Sequence, residues 1–73
     1  MQARVIVSLK RTVLDPQGLA IRNALVGLGH GKIQDVRQGK IFEIEFEAGE
    51  DLDAIAREVL TNPVIEDYQI EYL

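Results

Sequence analysis

Glu43, Glu45 and Glu47 recur at every second position of the stretch Ile41-Phe42-Glu43-Ile44-Glu45-Phe46-Glu47, where three carboxylates could hold a metal ion or exchange protons. Their spacing argues against both. In a strand, successive side chains point to opposite faces and same-face neighbours stand roughly 6–7 Å apart. Calcium wants six to eight oxygens at about 2.3–2.6 Å, which needs a tight loop. A carboxylate working as acid or base wants a positioned partner, and His30, the sole histidine, lies outside this stretch. The alternation instead turns Phe42, Ile44 and Phe46 toward a core and the glutamates toward an outer face. If this strand pairs with residues 4–10, Arg4 and Lys10 share that outer face. Opposite-charge cross-strand pairs then contribute roughly 0.2–1 kcal/mol each. The ladder is a surface. That face also carries Ile6 and Ile41, and it is either wet or packed on another such face.

Other reactive groups are scarce. The chain has no cysteine, which excludes disulfides, thiolate metal sites and a thiol nucleophile. Lys10-Arg11 precede a helix start that could attract phosphate, but Asp15 competes for the same positive end, so these charges read as solvated. An RNA-binding sheet would present aromatics on its outer face, where this sequence places Glu43 and Glu45. Residues 1–40 carry seven basic and two acidic side chains, a net of +5, and residues 41–73 one basic and ten acidic, a net of −9. The total of −4 argues against nucleic acid. The two halves complement each other, within one chain or across a dimer. No apolar run approaches the roughly 20 residues of a membrane span, and MQARVIVSLK is too short and too alternating for a signal peptide. The expectation is a soluble, cytoplasmic protein.

The elements that position these residues follow from periodicity. Arg4–Lys10 alternates with Val5, Val7 and Leu9 on one face, a half-buried strand. Asp15 is a good N-cap and Pro16 fits the first helical position. Leu19, Ile21, Ala24, Leu25 and Leu28 then make one apolar stripe, and Gly29 and Gly31 offer positive φ for the helix end. Ile33–Arg37 reads as a weaker strand, joined through Gln38-Gly39 as a hairpin to the strong strand 40–47. A second helix starts near Glu50, with Leu52, Ile55, Ala56, Val59 and Leu60 on its apolar face. Asn62-Pro63 stops it, and Tyr68, Ile70 and Tyr72 alternate in a last strand. The order βαββαβ in a single domain, residues 1–73, predicts a ferredoxin-like α+β sandwich. Both helices would cover one face of an antiparallel four-stranded sheet in the order 4-1-3-2. A chain of 73 residues buries only roughly 60% of its unfolded surface, so association with other subunits is the staple left to it.

Two stretches read in two ways. Gly18 within a helix costs up to about 1 kcal/mol against alanine; it marks either a loose first turn or the close approach of another backbone. Asn62–Tyr68 is either a helix stop leading into a strand or, through Glu66 and Asp67, an acidic docking corner.

The stretches VSLKRTVLDPQG (7–18), VRQGKIFEIE (36–45) and NPVIEDYQIE (62–71) together resemble the small-subunit (PurS) family of phosphoribosylformylglycinamidine synthase. The resemblance covers nearly the whole chain in the right order. It departs at Arg11-Thr12-Val13, where a proline- or glycine-bearing turn is expected, and in a short segment before the second helix. The resemblance implies a non-catalytic subunit of a purine-biosynthesis ligase, a homodimer or higher homo-oligomer. It joins a glutaminase subunit to a large ATP-dependent synthetase subunit and assists ammonia transfer between them. ATP and magnesium are then expected on the synthetase partner, with no cofactor here. Asp15, Gln17, Gly18, Arg37, Lys40, Glu66 and Asp67 are the partner-contact candidates. The alternative is a stand-alone dimeric module that senses a small ligand.

Overall fold

The computed structural model describes residues 1–73. It holds one antiparallel sheet of three strands, β1 (Gln2–Leu9), β2 (Gly39–Glu45) and β3 (Glu66–Tyr72), in the order β2-β1-β3. The helix α1 (Pro16–Gly27) joins β1 to β2, and α2 (Leu52–Ile55) joins β2 to β3. The register sets Val5 opposite Phe42 on one side and Ile70 on the other. The expected alternation therefore holds: Ala3, Val5 and Val7 share a face with Phe42, Ile44, Tyr68 and Ile70. On that face lies the core, in which Val5, Val7 and Ala56 are fully buried and Leu60 packs alongside.

Local chemistry accounts for α2. The Asp51 side chain caps it by accepting from the Ala54 N–H at 3.1 Å. After Ile55 the backbone widens into a π-type turn over Ala56–Leu60. The Thr61 N–H and hydroxyl both donate to the Ala56 carbonyl, at 3.0 and 2.8 Å, before Asn62-Pro63 turns the chain toward β3. Between β2 and α2, Gly49 takes a positive φ of 104° in the connecting turn.

Two expectations are overturned. Residues 33–37 form no strand and no hairpin with β2, so the sheet has three strands and the four-stranded ferredoxin-like layout does not hold. The surviving neighbours, last-first-third, are those the expected order gave. The segment is held elsewhere: the Gln38 N–H goes to the Asp15 carboxylate, and the Arg37 guanidinium goes to the carbonyls of Lys10 and Val13, which ties it to the start of α1 and to the turn after β1. The imperfect alternation of Ile33–Arg37 offers no apolar face in return.

The second correction concerns α1, which does not pack on the sheet. Leu19, Ile21 and Leu28 of its expected core stripe are 47%, 42% and 77% exposed. Only Gln17, Arg22 and Asn23 are polar along this helix, and a helix that is apolar all round belongs in an interior. It ends in a Schellman arrangement: the His30 N–H donates to Leu25 O at 2.9 Å and the Gly29 N–H to Val26 O at 3.1 Å. Gly29 supplies the positive φ of 102°; Gly31 does not share it. The helix is an arm, and the molecule measures 49 × 25 × 13 Å with a radius of gyration of 15.5 Å. A compact chain of this length has about 11 Å. Its accessible surface of 5530 Å² exceeds by about 1,000 Å² the value for a compact protein of this mass.

Candidate functional site

The contact candidates collect at the root of the arm, where the chain leaves β1 and returns to β2. Asp15 is the centre. It is 5% exposed, and its two oxygens serve two segments. Oδ1 accepts from the Gly18 N–H at 3.0 Å, capping α1, and Oδ2 accepts from the Gln38 N–H at 2.7 Å. Those donors, Gln38 first, hold the Asp15 carboxyl below the usual carboxylate range; the Arg37 guanidinium adds to them against the opposing effect of burial. Gly18 faces the returning segment so closely that a Cβ there would stand 2.0 Å from the Val36 carbonyl oxygen. Of the two readings of this glycine, close backbone approach is the one the geometry gives, and the approaching backbone is the chain's own.

Arg37 completes the root. Its Nη2 donates to the carbonyls of Lys10 and Val13, both at 2.9 Å. These carbonyls belong to a tight turn closed by the Val13 N–H to Lys10 O at 2.9 Å, so Arg11-Thr12-Val13 turn without proline or glycine. Gln17 Oε1 accepts from Gln38 Nε2 at 2.6 Å. Lys40 reaches Glu66 across β1 at 3.4 Å, and the other oxygen of Glu66 accepts from the Asn62 N–H at 2.8 Å. Lys10 binds Asp67 at 2.9 Å. The structure thus brings all seven candidates to one end of the sheet. Asp15 and Gly18 are buried, Arg37 and Glu66 half-buried, and Gln17, Lys40 and Asp67 exposed. Sequence reasoning missed Gln38, whose backbone N–H carries the key bond, and Lys10 as partner of Asp67. The Asp-Pro start gave a cap, but nothing in the sequence shows that a cap has a second oxygen in use.

The glutamate ladder stands outward as its spacing requires. Arg4 lies between Glu43 and Glu71 at 3.8 and 3.9 Å. These are exposed pairs, worth about 0–1 kcal/mol each. No group of three or more histidine, cysteine or acidic side chains is placed to hold a metal ion. On the opposite face the Tyr68 hydroxyl donates to the Asp53 carboxylate, tying β3 to α2. That bond pushes the Tyr68 phenol up, with desolvation adding to it. No helix is long and apolar enough to cross a membrane.

A small α+β chain with two open sheet edges and an uncovered apolar arm has the form of a subunit. The comparisons with known proteins identify which. The family model for PurS, phosphoribosylformylglycinamidine (FGAM) synthase, matches residues 2–73. The PurS subunit of Mycobacterium leprae is 51% identical over 72 residues, 94% of this chain and 91% of that one. Among solved structures, Bacillus subtilis PurS superposes with a TM-score of 0.86 at 44% identity, covering 96% and 94% of the two chains. The structure of PurLQS from Thermotoga maritima matches with a TM-score of 0.85 at 27% identity, over 99% and 95%. The chain belongs to the PurS family: it is a subunit of FGAM synthase, in purine biosynthesis.

Proposed function

We propose that this subunit works in the cytoplasm as an oligomeric scaffold, joining a glutaminase subunit to an ATP-dependent synthetase subunit and aiding ammonia transfer by holding the two in register. The single observation that carries the oligomer is α1, an apolar helix that its own sheet leaves uncovered. The excess surface of about 1,000 Å² is close to the roughly 800 Å² that each partner contributes to an ordinary stable interface. The basic half of the chain, where α1 lies, and the acidic half, net +5 and −9, suit a second copy as that neighbour.

The joining role draws support from family membership and from the likeness to the Thermotoga maritima PurLQS structure. ATP and magnesium belong, on this reading, to the synthetase partner. Gln17, Lys40 and Asp67 are the exposed members of the motif cluster, and they meet partners directly. The test is reconstitution: glutamine-dependent turnover measured for the glutaminase and synthetase subunits with and without this chain. The scaffold reading expects turnover to rise on addition and the three chains to co-purify. Full glutamine-dependent activity without it overturns the reading.

A further inference from the structure

We propose that Asp15, Gly18, Arg37 and Gln38 form a clasp that fixes the direction in which α1 leaves the sheet, and thereby the geometry of contact with the second copy. The inference rests on the oligomer reading above and names the residues that control it. Three independent ties converge on the root of the arm. The Asp15 carboxylate bridges the outgoing helix to the returning strand, through Gly18 N and Gln38 N. The Arg37 guanidinium binds the returning segment to two carbonyls of the turn that follows β1. The absent side chain of Gly18 lets the Val36 carbonyl close onto the first turn of α1.

Without these ties the arm has little to orient it, because α1 is not packed on the sheet. A helix rooted by one covalent connection at each end would sample many directions. An interface needs one, and each direction sampled lowers the fraction of chains competent to associate. Asp15 and Gly18 are buried, so they act on the second copy through α1: they are positioning residues.

The clasp is separable from the helix cap. Asparagine caps a helix about as well as aspartate, since one oxygen suffices for the Gly18 N–H. D15N leaves one oxygen for the two donors: with it on the Gly18 N–H the cap is kept, an amide NH₂ stands against the Gln38 N–H and the bridge is lost, and helix content reports that the cap is retained. The chain has no cysteine, so nitroxides attached at N23C on α1 and Q69C on β3 report the arm's direction by pulsed electron resonance. Diluting labelled with unlabelled protein isolates the intrachain distance. The same samples give the association constant by sedimentation, and circular dichroism gives helix content.

The clasp predicts one narrow distance in the otherwise native protein. In D15N it predicts a distribution at least twice as broad, dissociation at least tenfold easier, and unchanged helix content. R37K, which keeps a donor for the Lys10 and Val13 carbonyls, should stay closer to the native distribution than R37L. A native-width distribution and native association in D15N overturn the clasp while leaving the oligomer reading intact. A native protein that is monomeric at all concentrations overturns that reading and the assembly half of this inference. The direction-setting half is then judged by the distances alone.

Discussion

Leu28 offers a sharp test of what covers the arm. It stands at the C-terminal cap of α1 and is 77% exposed in the single chain. Truncation to alanine removes three carbons, at about 0.8 kcal/mol for each buried carbon group. In a single chain those carbons already face water, so L28A changes the stability of a monomer by no more than about 0.5 kcal/mol. In a two-fold symmetric dimer the same residue is counted twice. If the second copy buries Leu28 fully, the loss is about 4–5 kcal/mol; if it buries half, about 2 kcal/mol. Since about 1.4 kcal/mol is tenfold in Kd, L28A should weaken association by roughly 30-fold to 1,000-fold or more. The assay is a sedimentation-equilibrium dilution series of both proteins under identical conditions. A Kd within about threefold of the native value would mean that the tip of the arm stays uncovered and that no second copy packs on Leu28.

Four further outcomes follow from the geometry. V5A removes two methyl groups from a site with no exposure and should cost about 2–3 kcal/mol in urea unfolding; a change below about 1 kcal/mol would contradict the small core described here. G39A sets a Cβ 2.5 Å from the Val7 carbonyl oxygen and should destabilise the β1–β2 pairing by about 1–3 kcal/mol, seen as a lower urea midpoint. Asp15 has a folded-state pKa below the ordinary 3.8, so its contribution is present above that value and is lost as pH falls through the lowered one. Acid unfolding of D15N should lack this component, whereas a native-like acid profile in D15N would exclude it. Tyr68 has a raised pKa through its bond to Asp53, so its contribution holds below the ordinary phenol range and is lost as pH rises through the raised value. Ultraviolet titration should show one of the two tyrosines ionising late, and D53N should bring it back toward the ordinary phenol range.

The strands that pair within the chain were legible because each carries its own period-two signature. Val5 and Val7 alternate against Arg4 and Ile6, and Phe42 and Ile44 against Glu43 and Glu45; the register confirms both. Asp15-Pro16 was legible as a helix start because capping is local, and the second start, expected near Glu50, falls within two residues of the Asp51 cap. Ile33–Arg37 misled because partners remote in sequence decide where such a segment lies: Asp15, more than twenty residues away, takes the Gln38 N–H, and the Lys10 and Val13 carbonyls take the Arg37 guanidinium. The stripe on α1 misled differently. Its spacing shows that leucines want burial but does not say in which chain, and the length of a connection does not reveal where the helix points. The candidate residues come from separate motif stretches, and only the fold brings them to one end of the sheet. What each touches was not legible, because an inward carboxylate and an outward one look alike in a sequence.

In the proposed assembly a second copy covers the apolar arm. The direct measurement is the molar mass of the purified protein by sedimentation equilibrium at micromolar concentration, with hydrogen exchange read at the α1 amides. A mass of twice 8.2 kDa, or a higher multiple, with protected α1 amides is the predicted result. A single species of 8.2 kDa that unfolds cooperatively and keeps those amides protected would contradict it.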